Sequence, residues 1–215
     1  MVLAAVVLDG DQSEVLARLG IRDSKSFGAS QGGQALRARL AEQVAQRATF
    51  VSLEVIGPWE IDRWVGRGGL NRLEQTAAGR LLARAPDVDR IVADGARLFA
   101  PLTRHYPQLV AMDRAEATCV AVAAASVVAK ARRDELFACI AERYRREFGR
   151  VGGGGYPNAF TRRFLQDYRE RYGTLPPETR RSWKGTEAHT QPAAAGQDRT
   201  SAAGADDPVG THAPR

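Results

Sequence analysis

From Cys119 to Ala129 the chain carries no charge, and its apolar residues fall on every side of a helical wheel, the pattern of a helix covered all round. Val120, Val122, Val127 and Val128 alternate there with Ala121, Ala123, Ala124, Ala125 and Ala129, so an alanine surface would let the helix lie close against a sheet. Charge returns abruptly at both ends, with Glu116 at the N-terminal entrance and Lys130, Arg132 and Arg133 at the exit. An acid at the mouth of a buried helix is a reason to look for a site. The competing reading is an ordinary Val/Ala core helix.

The remaining pattern supplies strands and helices around it. Met1 to Leu8 is a valine-rich run closed by Asp9-Gly10-Asp11, read as a buried strand and its turn. Gln34 to Ala48 is a helix with Leu36, Leu40 and Val44 on one face, and Phe50 to Ile56 alternates as a strand until Gly57-Pro58. A helix running through Leu81 and Leu82 starts near Asn71, its candidate cap. Arg90 to Asp94 and Leu109 to Met112 read as short strands. Leu136, Ile140 and Tyr144 continue the apolar helix as an amphipathic one that Gly149 closes. Gly152 to Gly155 is by default a flexible loop, and Phe164, Leu165 and Tyr168 belong to a further helix. After Glu187 the periodicity ends, so residues 188–215 are expected to form a disordered tail. This pattern alone gives an α/β class.

A chain of 215 residues, 44% hydrophobic, buries one sizeable core with a small appended subdomain. It has no apolar run long enough to span a bilayer and no charged-then-apolar leader, so a cytoplasmic location and no membrane partner are expected. Cys119 and Cys139 read as reduced, buried thiols without metal-ligand spacing. The net charge of +6 is unevenly placed: residues 1–129 hold 15 Lys and Arg against 14 Asp and Glu, and residues 130–184 hold 14 against 7. A basic C-terminal third suits a polyanionic partner; a solvated arginine-rich surface is the plainer account. Only three of the basic residues are lysine: Lys25, Lys130 and Lys184.

Candidate chemistry sits where strands end. Arg90-Ile91-Val92-Ala93-Asp94-Gly95 brings a carboxylate to the C-terminal edge of a strand, the usual ligand position in a sheet with helices on its faces. Asp94 is the first choice of catalytic residue; a turn aspartate is the alternative. Asp113 rivals Glu116 as a second acid, but helix periodicity places it nearly one turn earlier, before the helix begins.

The string Glu116-Ala117-Thr118, then Val122-Ala123-Ala124-Ala125-Ser126-Val127-Val128-Ala129-Lys130 and Arg133-Asp134, resembles the signature of type 2 ribonuclease H, ribonuclease HII. There an acid, more often Asp, stands ten residues before the serine, which matches Glu116 and Ser126 and favours Glu116 over Asp113. Asp23-Ser24-Lys25, Ile61-Asp62 with Asn71-Arg72-Leu73-Glu74, Ala93-Asp94-Gly95, Gly155-Tyr156-Pro157 and Pro176-Pro177-Glu178-Thr179-Arg180-Arg181-Ser182-Trp183-Lys184 resemble further motifs in family order, in the archaeal-like form. The resemblance covers residues 1–187. It implies a ribonuclease H-like fold, a five-stranded mixed sheet flanked by helices, with a helical C-terminal extension from about residue 150.

The same resemblance implies an endonuclease that cleaves the RNA strand of RNA-DNA hybrids and DNA containing embedded ribonucleotides, acting as a monomer. Asp94 and Glu116 match its metal-binding and catalytic acids. Ser24, Lys25, Lys130 and Tyr156 match groups that approach nucleic acid, the tyrosine by stacking on the sugar at the RNA-to-DNA junction. Such cleavage uses two divalent ions roughly 3.5–4 Å apart, and Mg²⁺ or Mn²⁺ prefers carboxylate oxygen, so about four convergent acids are needed. The family's first strand, ending in Asp-Glu-Ala-Gly-Arg-Gly and supplying two of them, has no counterpart, and Met1 is expected to follow a start that lies upstream. Asp9 and Asp11 are read as turn residues, not substitutes. The alternatives are a non-catalytic nucleic-acid-binding relative and a degenerate chain without a stable fold.

Overall fold

The computed structural model describes residues 1–21, 31–156 and 158–183. Ser24, Lys25, Pro157, Lys184 and the expected tail lie outside them. β1 (Val2–Val7) pairs antiparallel with β2 (Phe50–Val55), Val2 opposite Val55 and Val7 opposite Phe50. β3 (Ile91–Asp94) pairs in parallel with β4 (Leu109–Met112). These are separate two-stranded sheets, not the single five-stranded sheet that the resemblance implies. α1 (Gly10–Arg18) and α2 (Gln31–Arg47) lie between β1 and β2 in sequence, and α3 (Pro58–Val65) and α4 (Leu70–Arg84) between β2 and β3. α5 (Ala96–Phe99) links β3 to β4, followed by α6 (Val120–Phe148) and α7 (Ala159–Tyr172).

The Asp9-Gly10-Asp11 expectation is corrected: it opens α1 and is no simple turn. The Asp9 carboxylate accepts the Gln12 N–H at 2.7 Å and the Gln12 side chain accepts the Asp9 N–H at 3.0 Å, a reciprocal capping pair that the Asp-x-x-Gln spacing already carries. Likewise Gly69 and not Asn71 is the N-cap of α4, so Asn71 lies inside the first turn. Cys119 is half-buried and Cys139 exposed, both free, because one precedes α6 and the other points outward from it.

Two apolar clusters hold the molecule. Leu16, Leu40 and Val44 from α1 and α2 close on Ala123, Ala124, Val127 and Val128 of α6, with Ala4 and Val6 of β1 against them. Ile56, Ile61, Leu73 and Ala77 form the second, with Leu3 from the other face of β1 and Met1 just before the strand. Period-2 alternation along β1 therefore sets α6 on one face of the strand and α4 on the other. One ion pair reinforces the first cluster: Arg37, buried, donates from Nε and Nη2 to Asp134 Oδ2 at 2.8 and 2.6 Å, tying α2 to α6. Farther along, Tyr144 and Phe148 of α6 meet Phe164 and Tyr168 of α7 ring to ring, which fixes the C-terminal helical region.

Candidate active site

Backbone geometry brings Asp94 to the turn that carries Glu116. β3 ends at Asp94, and Gly95 turns the chain at φ +126°, a conformation an L side chain rarely adopts, while its N–H still reaches the Met112 carbonyl at 2.9 Å. After β4, Arg114 takes the left-handed conformation at φ 59°, uncommon outside glycine, and throws the chain into a 3-10 turn at Ala115–Ala117. That turn, not α6, carries Glu116, because the helix proper begins at Val120. Asp94 Oδ1 accepts the Ala115 N–H at 3.1 Å, which locks the strand end to the turn.

The two acids differ in surroundings. Asp94 is exposed, and Glu116 is 6% exposed with Oε2 accepting the Ser126 hydroxyl at 3.1 Å. The ten-residue spacing is thus a hydrogen bond across the start of α6. Asp113 is exposed, and its Oδ1 accepts the Ala96 N–H at 2.9 Å, a capping role beside the pair. The donor chemistry suits a hard divalent cation in kind, since both acids offer carboxylate oxygen. It falls short in number: no group of three or more His, Cys, Asp or Glu able to hold a metal occurs among the described residues.

A second arrangement lies within the basic third. Arg133 donates to the Gly154 carbonyl at 2.6 Å and its guanidinium sits 4.2 Å over the Tyr156 ring, which is 53% exposed. Gly153 has φ +87°, and a Cβ there would fall 2.4 Å from Asn158 Oδ1, while the Asn158 amide donates to the Gly153 carbonyl at 2.9 Å. The glycine run therefore folds as a pinned 3-10 turn, where the sequence suggested a flexible loop, because Arg133 and Asn158 supply bonds that glycine alone does not. Lys130 lies half-buried on α6, one turn before Arg133. Sequence reasoning missed Arg133; its signal was the basic cluster at the helix exit.

The Ile61-Asp62 pair and the Arg180-Arg181-Ser182-Trp183 ending, read separately in the sequence, meet. The Asp62 carboxylate accepts the Arg181 N–H at 2.8 Å and the Ser182 N–H at 2.9 Å. Partial burial pushes this carboxyl up, but the bonds from Ser182 and Arg181 and the nearby Arg180 charge outweigh it and leave it below the usual carboxylate value.

The chain belongs to the ribonuclease HII family, whose family model matches residues 1–186. It is 37% identical over 194 residues to a ribonuclease HII of Pyrobaculum neutrophilum, covering 86% of this chain and 87% of that one. In fold it is similar to the ribonuclease H2 of Pyrococcus horikoshii OT3, with a TM-score of 0.70 at 23% identity over 87% of this chain and 96% of that chain. It is also similar to Bst-RNase HIII, solved in complex with Mn²⁺, at a TM-score of 0.64 and 22% identity, over 86% of this chain and 62% of that one. No helix of the described residues is long and apolar enough to cross a membrane.

Proposed function

We propose that this protein hydrolyses the RNA strand of RNA-DNA hybrids and cuts DNA at embedded ribonucleotides, with Asp94 and Glu116 as acids of a two-metal site for Mn²⁺ or Mg²⁺. The observation that carries this is the hydrogen-bonded corner in which Asp94 is held by the Ala115 N–H and Glu116 by Ser126. When bound, divalent metal supplies a water acidic enough to attack at neutral pH and stabilises charge on the leaving oxygen. The residues' part is to hold one carboxylate open to substrate at a strand end and the other desolvated on the adjoining turn. Tyr156, braced from behind by Arg133, offers an exposed ring for stacking at the RNA-to-DNA junction, and Lys130, Lys25 and Ser24 serve the phosphate backbone.

Because two acids are about half of what such a site needs, turnover depends on further carboxylates beside Asp94. The test is gel-resolved cleavage of an end-labelled duplex holding one ribonucleotide, across a Mn²⁺ and a Mg²⁺ titration. The chain alone is expected to cut little or not at all, and a chain supplied with a strand segment ending in Asp-Glu to cut on the 5′ side of the ribonucleotide, leaving a 3′-hydroxyl. Full activity without that segment would mean that other acids build the site, Asp113 first. Hybrid binding without any cleavage, with or without the segment, would favour the second reading, a non-catalytic nucleic-acid-binding relative.

A further inference from the structure

α7 carries an aromatic residue at every fourth position, Phe160, Phe164, Tyr168 and Tyr172, which sets all four along one face. Phe164, Tyr168 and Tyr172 meet the rings of Tyr144 and Phe148 on α6 at centroid distances of 5.2 to 6.2 Å. Phe160 continues the ridge beyond that packing and is 71% exposed. It rests instead on the glycine turn. A Cβ on Gly152 would lie 3.6 Å from Phe160 Cβ and Cγ, and one on Gly154 would lie 3.6 Å from Tyr156 Cδ2. Two exposed rings are therefore seated on the backbone of one turn, where side chains larger than glycine would lift them.

Backbone bonds fix the two rings relative to each other. The Tyr156 N–H donates to the Gly153 carbonyl at 3.1 Å and the Asn158 N–H to the Tyr156 carbonyl at 2.8 Å, while Asn158 Oδ1 accepts the Thr161 N–H at 3.1 Å at the start of α7. Four residues of chain keep the Tyr156 and Phe160 Cα atoms within about 14 Å. A single exposed apolar side chain is ordinary, but this one stands in a cationic setting. From Gly149 to Gln166 the chain holds Arg150, Arg162 and Arg163, all exposed, and no acid. The first acid beyond, Asp167, lies 3.9 Å from Arg163. An exposed ring among arginines suits a polyanion that also presents apolar faces, which is nucleic acid.

The ring's own chemistry narrows the contact. In a duplex the base faces are covered by their neighbours, so a rigid ring at the surface meets sugars. A phenyl ring has no polar atom to pair with a 2′-hydroxyl, so it matches the methylene of deoxyribose and would leave a ribose hydroxyl without a partner. At about 3.4 Å per stacked nucleotide, the chain between the two rings reaches about four nucleotides. We infer that Phe160 packs on a deoxyribose within about four nucleotides of the RNA-to-DNA junction, on its DNA side, and selects DNA there. The inference rests on the reading of Tyr156 as the residue that takes the junction.

The test uses the full chain in EDTA, so that nothing is cleaved, and fluorescein-labelled duplexes followed by anisotropy. One duplex carries a plain RNA-to-DNA junction, and four others place a single ribose at one of the first four deoxynucleotide positions past it. The parent is expected to bind one of these four about tenfold more weakly than the plain junction, because the added hydroxyl goes unpaired against an apolar surface. Phe160→Ala should weaken binding of the plain junction about tenfold and bring the two duplexes within about twofold of each other, with helix content unchanged. Phe160→Tyr, which keeps the ring, should restore junction binding. A parent indifferent to all four riboses, or a Phe160→Ala protein that binds the junction or senses the ribose as the parent does, would overturn the inference and leave the nuclease reading in place. A parent that binds no hybrid at all would overturn both.

Discussion

The two faces of α6 are built from the same residue types and meet different surroundings. Ala123, Ala124, Val127 and Val128 are buried against α1 and α2, whereas Ala121, Val122, Ala125 and Ala129 line the cleft between the strand pairs. The uniform Val/Ala pattern predicts a helix covered all round, and the structure corrects it: one face is covered, the other looks onto open strand edges. Valine and alanine report that a face wants cover, not whether the cover is present. The packed face carries the buried side chains of the helix, and at the mouth of the open one Ser126 donates to Glu116. The sharpest separation of the two comes from the acids. In an active form of the protein, Asp94→Asn and Glu116→Gln should each reduce turnover by about two orders of magnitude or more, and Glu116→Asp should retain substantial activity. The Asp94→Asn unfolding midpoint should stay near that of the parent, because Asn keeps an acceptor for the Ala115 N–H. Parallel loss of fold and turnover in Asp94→Asn would erase the distinction between the faces.

The converse change lies on the packed face. Val127 is fully buried, so Val127→Ala removes two methyl groups and leaves a cavity, costing about 2–3 kcal/mol in chemical denaturation. Turnover per folded molecule should be unaltered. Ala121→Ser, on the cleft side, should change stability by less than about 0.5 kcal/mol. If the two substitutions cost the same, the open face is as tightly covered as the closed one and the cleft reading fails.

What the sequence made legible follows the same division. β4 was readable to the residue from Leu109 to Met112 because a short apolar run between polar neighbours has one local solution. The nearness of Asp94 to Glu116 depends on a glycine at φ +126° and an arginine at φ 59°, conformations that no hydropathy pattern encodes. Glu116 was singled out from its ten-residue distance to Ser126, a regularity carried by resemblance, and only the geometry shows it as a hydroxyl donating to a carboxylate. α1 was missed although Asp9 and Gln12 spelled its cap, because aspartate next to glycine is also a strong turn signal. The docking of Arg181 and Ser182 on Asp62 joins residues 119 and 120 positions apart, beyond the reach of any local pattern.

The middle of α6, where Arg133 meets Tyr156, gives an effect of intermediate size. Tyr156→Ala should remove a stacking surface worth about 1–3 kcal/mol of junction binding while leaving the salt dependence nearly unchanged, because no phosphate contact is lost. Arg133→Ala should weaken the same binding through loss of the guanidinium behind the ring and of the bond to Gly154, and Arg133→Lys should rescue little, since an ammonium cannot reproduce the planar stack. Titrating both variants against an RNA-to-DNA junction and a plain DNA duplex checks this. Equal losses on the two substrates would remove the ring from junction recognition.

The smallest effect concerns neither face of α6 but the latch that holds the chain's last described turn. Asp62 accepts two backbone N–H groups, from Arg181 and Ser182, in the manner of a helix cap. Its folded-state pKa lies below the ordinary aspartate value, so the ionised latch contributes stability that is fully present above that ordinary value. The contribution is lost as pH falls through the depressed folded value, when the protonated carboxyl accepts less strongly. Asp62→Asn retains one good acceptor and should cost about 1 kcal/mol at neutral pH. The difference between parent and variant should narrow below about pH 4, where the unfolded aspartate also binds its proton. Denaturation of both proteins at several pH values, with Trp183 fluorescence reporting the docked segment, gives the curve. A gap that stays constant from neutral to acid pH would mean that the latch works through shape alone, and the charge on Asp62 would have no part in holding the C-terminal turn against α3.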